Sequence, residues 1–137
     1  MNVFLDSNIL LDVVLEREPF YEQSLLVMEW CIKNSSSTHI AWHTVTNCLY
    51  ILRKDLGTEQ TIAVLSSLLE WVEIAPSSKT LAQQGLKNAG KYFEDTLQYL
   101  CAESAKCEYL ITRNPKDFKN STVSVYTPSE FITALID

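Results

Sequence analysis

Residues 92–118, YFEDTLQYLCAESAKCEYLITRNPKDF, decide how the rest of the chain is read. The stretch divides into an acid-tipped helix, a short apolar strand and a polar loop. Glu94 and Asp95 fall in the first helical turn, where carboxylates complement the helix dipole. Tyr109-Leu110-Ile111-Thr112 has the residue types of a strand. Arg113-Asn114-Pro115 then breaks the regular structure, and Asp117-Phe118 closes the loop. Polar groups just past the end of a buried strand point into the crevice where open α/β sheets bind ligands. One other segment has the same form: Val3-Phe4-Leu5 followed by Asp6-Ser7-Asn8.

Between these segments strand and helix signals alternate. Val3-Phe4-Leu5 is apolar without alternation, as in a strand covered on both faces. Ser7 or Asn8 can cap a helix in which Ile9, Leu10 and Val13 have helical spacing. Pro19 suits the start of a second helix over 20–33, ended by Asn34-Ser35-Ser36-Ser37. Residues 38–42 read as a second strand, with Trp42 assigned to the core. Val45, Cys48, Leu49 and Leu52 define the next helix, which Gly57 stops. Thr58 opens another, with Ile62, Leu65, Leu68 and Leu69 as its buried stripe. Residues 71–75 read as a strand and 79–88 as a helix ended by Gly90. Residues 123–126 form the last strand, and Thr127-Pro128-Ser129-Glu130 starts a final helix over 131–136. The alternation predicts an α/β fold, a three-layer α/β/α sandwich with a central mostly parallel sheet, as a single domain over 1–137. Asp6 and Asn114 then share one sheet edge, and they lie close together if their strands are neighbours.

The bulk numbers set limits. At 137 residues the chain suits one compact domain, and 47% hydrophobic with 20% charged residues fits a soluble protein with a proper core. A net charge of −6 excludes nonspecific nucleic-acid binding by the whole surface, though not by a local basic patch. The N-terminus lacks a signal peptide's features, and no apolar run reaches the ~18–20 residues of a membrane span. Cys31, Cys48, Cys101 and Cys107 form no CxxC and sit on helical stripes without a paired His, so they read as small hydrophobes in a reducing cytoplasm. His39 and His43 straddle a strand–helix junction with no matching third ligand, which disfavours zinc. Gly57, Gly85 and Gly90 form no phosphate-binding loop, which disfavours a dinucleotide site.

Carboxylates gathered at strand ends repel one another unless a cation sits between them. Mg²⁺ takes oxygen ligands, keeps several waters and pairs one or two carboxylates with phosphate, and it promotes phosphodiester cleavage by activating water. Asp6 and Asp95 are the candidate ligands, with Glu94, Asp117 and Asp12 as helpers. Asn47 and Asn114 offer neutral oxygens, and Thr112 shapes the loop. Singly, each has an ordinary explanation: Asp6 as a helix cap, Glu94-Asp95 as dipole complements, Asn114-Pro115 as a turn. Their coincidence at one sheet edge is the signal. Arg113, Lys116 and Lys119 beside this edge, and Arg53 and Lys54 at the end of the Asn47 helix, are candidate contacts to a phosphodiester backbone. Trp42 and His43 near the sheet edge could stack on a base, although core packing accounts better for Trp42.

The sequence resembles the PIN-domain ribonucleases, including the VapC-like toxins of toxin–antitoxin modules. The resemblance is carried by FLDSNILLDVVL at the start, TVTNCLYILRK in the middle, FEDTLQYLCAESAKCEYLITRNPKDF near the end, and the closing VYTPSEF. It implies a set of acidic residues around Mg²⁺ or Mn²⁺ and metal-assisted hydrolysis of RNA, which makes Arg113, Lys116, Lys119, Arg53 and Lys54 candidate RNA contacts. Asp6 matches the first acid and Asp95 the third. Asn47 stands where most members have Glu, and Asn114 where many have Asp, which argues for a single, weakly held ion. For a toxin the resemblance also implies an antitoxin covering the site, and often a homodimer. The competing reading is a PIN domain that binds RNA or a partner without cutting. A haloacid-dehalogenase-type phosphatase would need Asp-x-Asp, and the second acid is here Asn8.

Overall fold

The computed structural model describes residues 1–34, 37–89, 93–118 and 121–136. Five strands build its sheet: β1 (Asn2–Leu5), β2 (Ser37–Ile40), β3 (Val72–Ile74), β4 (Tyr109–Ile111) and β5 (Ser124–Tyr126). Their order is β3-β2-β1-β4-β5, and every pairing is parallel. The helices are α1 (Ser7–Val14), α2 (Tyr21–Asn34), α3 (Trp42–Leu56), α4 (Thr58–Leu68), α5 (Lys79–Ala89), α6 (Phe93–Ser104) and α7 (Pro128–Phe131). A 3-10 turn covers Pro115–Phe118, and a π-helical turn over Ile132–Ile136 follows α7.

The strand order positions the site. From β1 the chain winds outward through β2 and β3, then returns to place β4 on the other side of β1. The direction of winding reverses between β1 and β4, and that is where such sheets leave a crevice at their carboxyl ends. Leu5 pairs with Ile111, and the Asp6 N–H donates to the Ile111 carbonyl at 3.0 Å. The residues that follow, Asp6 and Thr112, are therefore neighbours across the edge.

The sheet is covered on both sides, as its unbroken apolar strands require. Val3, Leu5, Ile40 and Ile111 pack with Ile9, Leu10 and Leu11 of α1, Val27 and Cys31 of α2, Cys48 and Leu52 of α3, Leu65 and Leu68 of α4, and Phe131. Phe4 and Leu110 face the other way, onto Cys101 and Ala102 of α6. The result is the expected three-layer α/β/α sandwich. Gly57, at φ 79°, separates α3 from α4 in the conformation that glycine adopts without strain. Thr127 and Glu130 close α7 with a reciprocal capping box.

Several sequence expectations shift. The first helix is not capped by Ser7 or Asn8, because it begins at Ser7 with Asp6 in the N-cap position. The second strand ends at Ile40, and Trp42 opens α3. Trp42 is 63% exposed, not core. The buried face of α3 carries Thr44, Cys48 and Leu52, and two residues of helix turn Trp42 to the opposite side. In α4 the buried stripe is Thr61, Leu65 and Leu68, so Ile62 and Leu69 lie outward at 52% and 44% exposure. Gly90 and Lys119 lie outside the described residues.

Candidate active site

Asp6 sits where a helix cap would, yet its side chain makes no cap hydrogen bond. The carboxylate turns instead to three neutral donors. Thr112 Oγ1 donates to Oδ2 at 2.8 Å, Gln98 Nε2 donates to Oδ1 at 3.1 Å, and Ser7 Oγ reaches Oδ1 at 3.3 Å. Asp6 is 4% exposed, and these bonds offset the cost of burying its charge. Thr112 also accepts from the Asn114 backbone N–H at 3.1 Å, tying the loop after β4 to the same carboxylate.

Asp95 enters from α6, whose first turn holds Glu94 and Asp95. Burial pushes its carboxyl up to about 6, with the charges of Asp6, Asp117 and Glu94 adding to the rise and a hydrogen bond from Gln98 opposing it. Gln98 therefore serves both carboxylates. It is 1% exposed and sits one helical turn after Asp95, a spacing from which sequence reading could have found it.

Asp6, Glu94, Asp95 and Asp117 line one polar crevice of about 270 Å³, with Ser7, Asn8 and Asn114. The expected acids thus converge, with one exception. Asp12 is fully buried and faces Arg113 Nε at 2.9 Å and Arg17 at 3.9 Å. Six residues along α1 place it on the far side of the helix's first turns, away from the crevice. Its pairing also removes Arg113 from the free phosphate contacts, since the guanidinium lies 4.0 Å from the centroid of the Phe20 ring as well. Lys116 and Arg53 are exposed. Asn47 does not line the acid crevice; its Nδ2 donates to Glu94 Oε1 at 3.2 Å and so orients that acid.

Among the described residues, no three His, Cys, Asp or Glu side chains are drawn together tightly enough to hold a metal ion by themselves. The crevice still fits Mg²⁺ or Mn²⁺ chemistry. Its lining offers oxygen donors, the charges of Asp6, Asp117 and Glu94 add to the raised proton affinity of Asp95, and Mg²⁺ asks for only one or two carboxylates with water completing its shell. Other readings lose ground. The thiols of Cys31, Cys48 and Cys107 are pushed by burial up to about 12, far from a nucleophile's range. An apolar cleft of about 170 Å³ over Leu11, Val14, Leu52 and Leu65 shares no residue with the acid crevice. Among the described residues no helix is long and apolar enough to cross a membrane.

The chain is 28% identical over 135 residues to Ribonuclease VapC1 of Aquifex aeolicus (strain VF5), covering 94% of this chain and 92% of that protein. Among solved structures it matches VapC20 of Mycobacterium tuberculosis, described as a sarcin-ricin loop cleaving toxin, with a TM-score of 0.72 at 10% identity over 90% of this chain and 98% of that one. VapBC-1 of nontypeable Haemophilus influenzae gives 0.69 at 18% identity over 94% and 99%. These likenesses establish the fold. The family model described as PIN domain matches residues 2–116, most of the chain, and the chain belongs to the PIN-domain family.

Proposed function

We propose that the chain, as one PIN-like domain, is a metal-dependent endoribonuclease that hydrolyses RNA phosphodiester bonds, and that it is the toxin of a toxin–antitoxin pair. The observation that carries this reading is the meeting of Asp6 and Asp95, with Glu94 and Asp117, in one crevice at the switch point of the sheet. The curated relative named a ribonuclease, and solved relatives named as VapBC complexes, support it.

Asp6 and Asp95 would hold Mg²⁺ or Mn²⁺, which supplies water activation and stabilisation of the leaving oxygen when bound. Thr112 and Gln98 fix the orientation of Asp6, and Gln98 also reaches Asp95. Asn114 brings a neutral oxygen to the rim, and Asn47 holds Glu94. Lys116 and Arg53 are the exposed cations suited to the RNA backbone. The non-cutting reading is not favoured, because Glu94 and Asp117 leave the crevice rich in carboxylates despite Asn47 and Asn114. A cytoplasmic location, an antitoxin covering the crevice and a homodimer complete the proposal.

Titration of Mg²⁺ or Mn²⁺ against a labelled RNA tests it. Cleavage that needs the ion and is lost in Asp6→Asn and Asp95→Asn is the expected result. Cleavage that survives both substitutions, or that chelation leaves untouched, rejects it.

A further inference from the structure

A second pocket, of about 430 Å³, adjoins the acid crevice and shares Ser7, Asn8 and Glu94 with it. Its character differs. Leu11 and Ile51 give an apolar floor, Tyr50 an aromatic wall, and Asn8 and Asn47 two amides. Among the described residues Glu94 is its one charged lining residue, and Asn47 Nδ2 already engages Oε1 of that carboxylate. Asn47, Tyr50, Ile51 and Lys54 recur at i, i+3, i+4 and i+7, so α3 presents them as one stripe. Tyr50 is 59% exposed, and the Lys54 ammonium lies 4.7 Å from its ring centroid.

Apolar side chains, an aromatic ring and neutral amides together match a nucleobase, which presents a π-face and a hydrogen-bonding edge. Among the described residues no cation lines this pocket to meet a phosphate, which has a place in the neighbouring crevice. We propose that the pocket is a nucleobase subsite. It takes one unpaired base of single-stranded RNA next to the scissile phosphate, stacked on Tyr50 and read at its edge by Asn8 and Asn47. Lys54, at the outer end of the stripe, meets the backbone leaving the site. This assignment rests on the ribonuclease reading for the direction of the strand.

The test uses the full-length chain and a single-stranded RNA probe carrying 2-aminopurine, whose fluorescence falls on stacking. Wild type and Tyr50→Phe should quench the probe. Tyr50→Leu should not, and it should raise KM roughly tenfold with kcat nearly kept, as loss of one stacked base predicts. Asn47→Ala should flatten the base preference beside the cut in a randomised RNA pool. RNA cleavage with Tyr50→Leu equal to wild type in quenching and KM overturns the subsite and leaves the ribonuclease reading standing. Quenching that depends on Tyr50 in a protein that cuts no RNA upholds the subsite and overturns the nuclease. Absence of both binding and cleavage overturns both. A Tyr50→Leu protein altered only in oligomeric state, by size exclusion, assigns the stripe to a second copy and overturns the proposal.

Discussion

Asp6 precedes and Asp12 lies within the same short helix, and both are sealed from solvent to a similar degree, at 4% and 0% exposure. Their surroundings differ in kind. Asp6 is held by the neutral side chains of Thr112, Gln98 and Ser7, while Asp12 sits against the guanidinium groups of Arg113 and Arg17. Hydroxyls and amides orient a carboxylate without cancelling its charge, so Asp6 keeps a field for an incoming cation. Guanidinium groups cancel it, so Asp12 has no attraction left for a metal. Burial raises the proton affinity of Asp12, and Arg113 and then Arg17 oppose the rise. The pair joins α1 to the loop after β4, the loop that carries Asn114 and Asp117. One buried acid is therefore suited to chemistry and the other to holding the chemistry's loop in place.

Removing the charge of Asp6 should produce the largest effect and hit activity alone. Asp6→Asn is expected to cut ribonuclease turnover on the order of a thousandfold, about 4 kcal/mol in the barrier, with near-native urea denaturation. Asp12→Ala should do the reverse. It leaves Arg113 without its counter-ion in a largely buried position and should cost about 3 kcal/mol of stability, measured by urea denaturation, while the folded fraction still cuts RNA. If Asp12→Ala abolishes turnover at unchanged stability, the division between the two acids is wrong. Thr112→Val lies between them, because the hydroxyl binds Asp6 and steadies Asn114 together. Loss of a hydrogen bond to a buried charge should cost about 2 kcal/mol, and turnover should fall with it.

The same contrast marks where sequence reading succeeds. The sheet was legible because Val3-Phe4-Leu5 and Tyr109-Leu110-Ile111 are apolar on both faces, as a covered parallel sheet requires, and because helical patterns alternate with them. Asp6, Asp95, Glu94 and Asp117 were legible as acids at strand and helix ends, a property of chain position. The role of Asp12 was not, because its spacing from Asp6 says nothing about Arg113, which comes from the far end of the chain. Trp42 misled for a related reason: its hydrophobicity argues for the core, but a strand ending at Ile40 puts it on the outer face of α3. Gln98 was passed over because a glutamine on a helix is ordinary until Asp6 is seen against it. Element type follows from local pattern, whereas polar pairing across the fold does not.

The smallest effect concerns protons, and it separates Asp95 from Asp12 by their response to a cation. The folded protein holds the Asp95 proton more tightly than the unfolded chain, with the carboxyl raised from 3.8 to about 6. For an acid raised by folding, the contribution to stability is fullest below the unfolded value and is lost as pH climbs through the folded one. The metal-free protein should therefore lose a little stability between about pH 4 and about pH 6 from this group. The change is modest because Asp95 is only half-buried and solvent screens its neighbours. Added Mg²⁺ should restore it, since a cation favours the ionised carboxylates that burial and repulsion disfavour. The rise in Tm on adding Mg²⁺ should accordingly be larger at pH 7.5 than at pH 5, and should shrink at both in Asp95→Asn. In Asp12→Asn the rise should persist with its pH dependence intact, because the Asp12 partners are arginines. A rise that is equal at the two pH values, or that disappears with Asp12 and survives without Asp95, would place the cation on the wrong aspartate.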